Sequence, residues 1–290
     1  MSIDLLHGKV RKLKNPTVVD FGIKAELLPP HLLEQEGNPL SAYVRFCTEL
    51  MMQLKDTVPA VRFSFDAFAL YGCEGLTALT NLLRQAKEMG FFVVLDSPAI
   101  YSPWGADRTA EAVLGGELYP CDGLIISPYI GSDAIKPFVP YAKTGKVIFA
   151  VVRSANKSAM EIQDLMTGGR LVYGAVAELV NRFGEGEYGK CGYSHIGAVV
   201  AAGVPESIRT LRNKHNRMYF IVDGIDYPSG NAKNCSYGFD QFGYGCVVCA
   251  GPSITAAWHE AQSDGKDYLE QAKQAAERMK KNICRYVSIL

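Results

Sequence analysis

The sequence predicts an α/β fold, a single (β/α)8 TIM barrel taking residues 1–290 as one domain, and three observations lead there. Eight short apolar runs recur along the chain, most of them followed by a helical pattern. The runs are apolar almost throughout instead of alternating, as parallel strands covered on both faces should be. Eight such units in about 250 residues match the usual size of this barrel, and no linker or low-complexity segment interrupts them.

In chain order, residues 1–14 form an N-terminal arm or short helix, and Asn15-Pro16 turns the chain into a first strand, Thr17 to Ile23. Lys24 to Pro30 is its mouth loop. Ser41 as N-cap should open a helix to about Asp56, with Val44, Cys47, Leu50, Met51 and Leu54 at helical spacing before Pro59 stops it. A second strand, Ala60 to Phe65, leads to an amphipathic helix, Glu74 to Met89, closed by Gly90. The third strand is Phe91 to Asp96, with a helix opening near Asp107 to Thr109. Gly123 to Ile126 is the fourth, followed by a Pro-Tyr-Ile-Gly loop and a helix from Ser132. Val147 to Val152 is the fifth, and a helical stretch from Ala159 to Phe183 breaks at Gly168-Gly169. His195 to Val200, Tyr219 to Val222 and Cys246 to Cys249 complete the set, with helices at Pro205 to His215 and Ile254 to Val287; residues 259–290 count as the C-terminal helix.

Thirty basic and thirty acidic residues give a formal net charge of zero, so charge argues against nucleic acid and anionic membranes as partners. No apolar run approaches the roughly 20 residues of a membrane span. The charged N-terminus is unlike a secretory signal, and eight Cys without paired spacing suit reduced thiols, so the expectation is a soluble cytoplasmic protein. Cys246 and Cys249 are separated by an odd number of strand positions, which sends their sulfurs to opposite faces and argues against a metal half-site. The five His have no second ligand at metal spacing, and neither a metal nor a cofactor is expected.

Chemistry in such a barrel is done where strands end at the C-terminal mouth. Asp96 ends the third strand, yet Ser97 to Ala106 supplies no acid, base or cation. Arg62 ends the second strand and should form an ion pair with Asp96 across the mouth. Asp20 shares the inward face of the first strand as a third member, and Asp223 and Asp226 stand in the loop after the seventh.

Several runs resemble the longer-chain class of orotidine 5′-phosphate decarboxylases. They are Asp122 to Asp133 with Pro137-Phe138, Gly72 to Leu76, Val152 to Asn156, Gln163 to Leu165, and Ile196 to Val200 with Pro205-Glu206. The likeness runs from about Asn15 to Trp258 and implies a homodimer in which each site borrows residues from its partner. It also implies a catalytic pattern that this chain departs from. The Asp ending the family's first strand falls on Gly22, and the Lys ending its second strand on Arg62. The Asp-x-Lys-x-x-Asp motif after the third strand starts at Asp96; its Lys, which protonates the carbanion in the family, and its last Asp fall on Pro98 and Tyr101. Counted back from Thr109, which matches a family Thr, they fall on Ser102 and Gly105 after an insertion of four. The phosphate-gripping Gln and Arg read Pro228 and Pro252, while the base-reading Thr-Ser-Asn reads Ser154-Ala155-Asn156. No catalytic residue can be assigned from this, Arg62 and Asp96 being the candidates by position. Asp20, Thr109, Ser154, Asn156, Asp223 and Asp226 are candidate ligand contacts. The expected function is a non-decarboxylating homologue that binds a small polar ligand or regulates a partner. An enzyme with different chemistry at the same mouth, or a working decarboxylase, remains the alternative.

Overall fold

A computed structural model describes residues 2–290 and shows a closed barrel of eight parallel strands. The strands are Thr17–Asp20, Ala60–Ser64, Phe92–Asp96, Gly123–Ile126, Val147–Val151, Ile196–Ala201, Phe220–Asp223 and Cys246–Ala250. Each pairs with its predecessor, and the first closes on the eighth through Thr17 beside Val248 and Val19 beside Ala250.

Strand period divides the side chains into two sets. Val18, Ala60, Phe92, Val94, Phe149, Val199, Ile221 and Val247 form an inner cluster within the barrel. Val19, Val61, Phe63, Val93, Leu95, Val200, Val222 and Val248 face outward into the layer shared with the helices. Gly197 keeps the inner layer closed: a Cβ there would stand 2.3 Å from the Tyr219 carbonyl oxygen. Cys246 belongs to the outer cluster and Cys249 to the inner one, the opposed placement that their spacing requires.

The N-terminal residues are more than a lead-in arm. Ser2–Leu13 is a helix whose Ile3, Leu6 and Val10, at i, i+3 and i+7, join the inner cluster. The Ser2 amide donates to the Gly145 carbonyl and the Lys9 amine to the Gly90 carbonyl, both just ahead of strands, so the helix caps the N-terminal end of the barrel.

Other boundaries move for local reasons. The second long helix is Pro39–Leu54 and starts at Asn38, not Ser41, because the Asn38 side chain accepts the amides of Leu40 and Ser41 ahead of Pro39 at the first helical position. Pro30–Glu36, read as loop at its first residue and unassigned beyond, is a helix ended by Gly37 at φ 63°. The first strand stops at Asp20 because the Asp20 carboxylate turns the chain by accepting the Gly22 amide. Ser132 opens only short 3-10 turns before the helix Val139–Lys143. Between Ala159 and Phe183 the chain forms a 3-10 segment, Lys157–Glu161, then a two-stranded hairpin, Met166–Thr167 with Arg170–Leu171, and only then the helix Val172–Gly184. Gly168 and Gly169, at φ 54° and 78°, make the hairpin turn, so the glycine pair builds a turn instead of breaking one helix. The C-terminal stretch is likewise divided, into Pro252–Thr255, Ala257–Glu260 and the helix Tyr268–Cys284.

Candidate ligand site at the barrel mouth

The inward alternation continues to the ends of five strands, and that places the candidate site. Asp20 follows Val18, Arg62 follows Ala60, Asp96 follows Val94, Asp223 follows Ile221 and Cys249 follows Val247, each two residues on and therefore on the inner face. Their side chains meet at the C-terminal mouth. The Arg62 guanidinium grips Asp96 with Nε at 2.9 and 3.0 Å and Nη2 at 2.5 Å. Its Nη1 donates to Asp223 Oδ2 at 3.2 Å and to the Cys249 sulfur at 3.4 Å, and lies 3.7 Å from Asp20 Oδ2. Only 14% of the Arg62 side chain remains exposed.

Burial sets the electrostatics here. It pushes the Asp96 carboxyl up to about 6, with Arg62 pulling the other way. Burial also raises Asp20 against the pull of Arg62 and the Gly22 amide, and holds the Cys249 thiol well above its ordinary range. An arginine has only donors to offer and does not lose its proton in a protein. Arg62 is thus a charged strut engaged by Asp96, Asp223 and Cys249 of its own chain.

Above this cluster lies a cavity of about 710 Å³, whose wall includes Asp20, Arg62, Ser154, Asn156, Asp223 and Asp226. Asp223 Oδ1 accepts the Gly224 amide at 2.8 Å. Gly224 has φ 81°, and a Cβ on it would stand 2.5 Å from Ala155, so this turn needs glycine. Asp226 Oδ2 accepts the Gly251 amide at 2.6 Å, tying the seventh loop to the eighth. Beside the Gly224 turn the Gln163 side chain accepts the Ser154 amide and donates to the Ser154 hydroxyl, which donates to Asn156 Oδ1 at 2.7 Å. Arg153 braces this loop by a paired contact with Asp164. Among the described residues no group of three His, Cys, Asp or Glu side chains is arranged to hold a metal ion.

Of the residues singled out in the sequence, Asp20, Arg62, Ser154, Asn156, Asp223 and Asp226 line the cavity, and Asp96 joins it through Arg62. Thr109 does not. It lies in the second turn of a helix that starts at Pro103, capped by the Ser102 hydroxyl accepting the Gly105 amide. The expected opening near Asp107 to Thr109 is therefore too late, and the inserted residues extend the helix toward its N-terminus. Cys249, Tyr227, Ser253 and Glu260 also line the wall and were not picked out. Cys249 was legible as the second inward position after Val247; the other three depend on how the loops fold.

No family model matches the sequence. Curated relatives match over its whole length: the orotidine 5′-phosphate decarboxylase of Clostridium novyi (strain NT) is 28% identical over 287 residues, covering 98% of each chain. That of Clostridium perfringens (strain SM101 / Type A) is 29% identical over 285 residues, again with 98% of each covered. Over its full length the chain is thus similar to orotidine 5′-phosphate decarboxylases. Among solved structures, Leishmania donovani UMP synthase is 26% identical with a TM-score of 0.76, over 98% of this chain. This chain spans 56% of that longer protein. The Plasmodium berghei orotidine 5′-monophosphate decarboxylase superposes with a TM-score of 0.80 at 16% identity, a likeness of fold. The barrel is thus shared with these proteins. The arginine-centred cluster and the loop between Asp96 and Pro103 are read from this chain's own residues. Among the described residues no helix is long and apolar enough to cross a membrane.

Proposed function

We propose that this chain is a non-decarboxylating member of its family that holds a small polar ligand at the barrel mouth. The observation that carries the reading is the engagement of Arg62 by Asp96, Asp223 and Cys249. The resemblance puts the family's strand-two Lys at this position and its proton-donating Lys on Pro98 or Ser102, neither of which replaces an ammonium group. An arginine held charged by carboxylates is a poor acid, and a general acid matched to the reaction is typically worth about 10²–10⁴-fold. Ser97 to Ser102 brings no cation to replace it. Asp226, bonded to the Gly251 amide, also puts a carboxylate between the two loops that would grip a phosphate in the family. Anionic substrate is thereby disfavoured at both its ends.

The reading extends to a cytoplasmic two-fold homodimer. Tyr101 and Trp104, 85% and 71% exposed beside the third strand's mouth, would be covered by the second copy. The second reading, a working decarboxylase, is favoured by the full-length likeness to proteins bearing that name. Expression in a strain lacking its own decarboxylase separates the two. Our reading expects no growth without added uracil, and growth would establish the second.

A further inference from the structure

We infer that the mouth cavity takes a small organic cation, a protonated amine carrying further hydrogen-bond donors such as hydroxyls. This rests on the reading of the mouth as a ligand site and names the chemistry of its ligand.

The cavity wall carries unfilled hydrogen-bonding capacity. Four carboxylates, Asp20, Asp223, Asp226 and Glu260, line the cavity against a single cation, Arg62. Arg62 is engaged by Asp96, Asp223 and the Cys249 sulfur. Asp20 Oδ1 accepts the Gly22 amide, but its Oδ2 stays 3.7 Å from Arg62, beyond hydrogen-bond distance. Asp226 uses Oδ2 for the Gly251 amide. The Ser253 hydroxyl, which can accept as well as donate, has no partner. Two donors on the wall are already committed: the Ser154 hydroxyl donates to Asn156, whose amide donates to the Ser158 hydroxyl. The cavity therefore presents unfilled acceptors and an excess of negative charge, and its complement is a positively charged molecule rich in donors.

A second feature agrees independently of the carboxylates. The Tyr227 ring, 51% exposed, forms part of the same wall and offers an aromatic face of the kind that attracts ammonium groups. A bare metal ion fits less well, because the carboxylates are spread around the wall and are not gathered at ligand spacing. Phosphate-bearing molecules meet repulsion from Asp223 and Asp226.

The test is calorimetric titration of the purified protein with three sets of probes. Putrescine, agmatine and glucosamine represent cations, myo-inositol a neutral polyol, and uridine 5′-monophosphate and inorganic phosphate the anions. At least one amine should bind with a Kd of about 1 mM or tighter, weaken as salt is raised, and exceed both the polyol and the anions. Asp226→Asn should weaken that amine about tenfold, the factor that about 1.4 kcal/mol gives. Where that variant fails to fold, Glu260→Gln, at an exposed position, should weaken it in the same direction. Amine binding absent down to this affinity, unaffected by the charge-removing variant, or matched by myo-inositol or uridine 5′-monophosphate, would overturn the inference. A blank titration beside blank decarboxylation overturns only the choice of ligand, whereas decarboxylation would remove the functional reading beneath it.

Discussion

At its N-terminal end the barrel is closed by a helix whose Ile3, Leu6 and Val10 are 0%, 1% and 0% exposed and pack against Phe92 and Tyr193. At its C-terminal end it is closed by one arginine with Asp20, Asp96 and Asp223 around it. The two plugs fill comparable positions on the barrel axis with opposite chemistry. Apolar burial at the first end stabilises at about 25 cal/mol per Å² removed from water. An ion cluster at the second must first overcome the loss of hydration of every charge, and such clusters are often no more stabilising than apolar residues of the same shape. Their difference teaches where to look for function: an arrangement that burial alone would not favour sits at the end where barrels of this kind place their chemistry.

The largest effect should come from taking the cation out. Arg62→Ala leaves three carboxylates facing one another and should lower stability by about 3–5 kcal/mol in urea unfolding near neutral pH. Near pH 4, where carboxylates begin to accept protons, the loss should shrink. Leu6→Ala at the other end should cost about 2–5 kcal/mol through its cavity, and the same amount at both pH values, since no charge is involved. If both variants showed the same pH dependence, the contrast between the two plugs would be wrong.

A smaller effect is the pH dependence of the intact protein. Asp96 stands at about 6 when folded and near 3.9 when unfolded, so the folded state holds its proton more tightly. Its contribution is fully present below the unfolded value and is lost as pH rises through about 6, an effect on the order of 2–3 kcal/mol. Asp96→Asn removes the titrating group. Comparison of the two unfolding curves between these limits should show wild type losing ground to the variant as pH rises. Parallel curves would mean that Arg62 already holds Asp96 ionised throughout.

Trp104→Ala should change stability least, within about 0.5 kcal/mol, because the ring is an exposed surface side chain. Light scattering should nonetheless show the proposed homodimer dissociating more readily. A wild-type monomer at micromolar concentration would count against the dimer itself.

How much of this could be read from the chain alone varied with the range of the interactions. The eight strands were legible because both their faces are buried, which leaves apolar runs such as Phe92–Leu95 and Val147–Val151. Arg62, Asp96, Asp20 and Asp223 were legible because strand period fixes their direction once the strand ends are known. The helix Ser2–Leu13 was hard to place because an amphipathic segment does not announce which apolar surface it will cover. Asn38 outcompeted Ser41 as a cap through a side-chain contact, and Ser102 moved the helix start ahead of Thr109 in the same way. Ser253 and Glu260 reach the cavity only because the C-terminal stretch breaks into short helices, a tertiary outcome with no local signature.

The central claim of the proposed function is that the mouth, with arginine at its centre and no lysine after Asp96, does not supply the proton that decarboxylation of orotidine 5′-phosphate requires. It is tested most directly by incubating purified wild-type protein with orotidine 5′-phosphate and following loss of substrate absorbance together with release of carbon dioxide. The account predicts neither above the uncatalysed background. Turnover approaching the common enzyme scale of about 10 per second, abolished by Arg62→Ala, would contradict it.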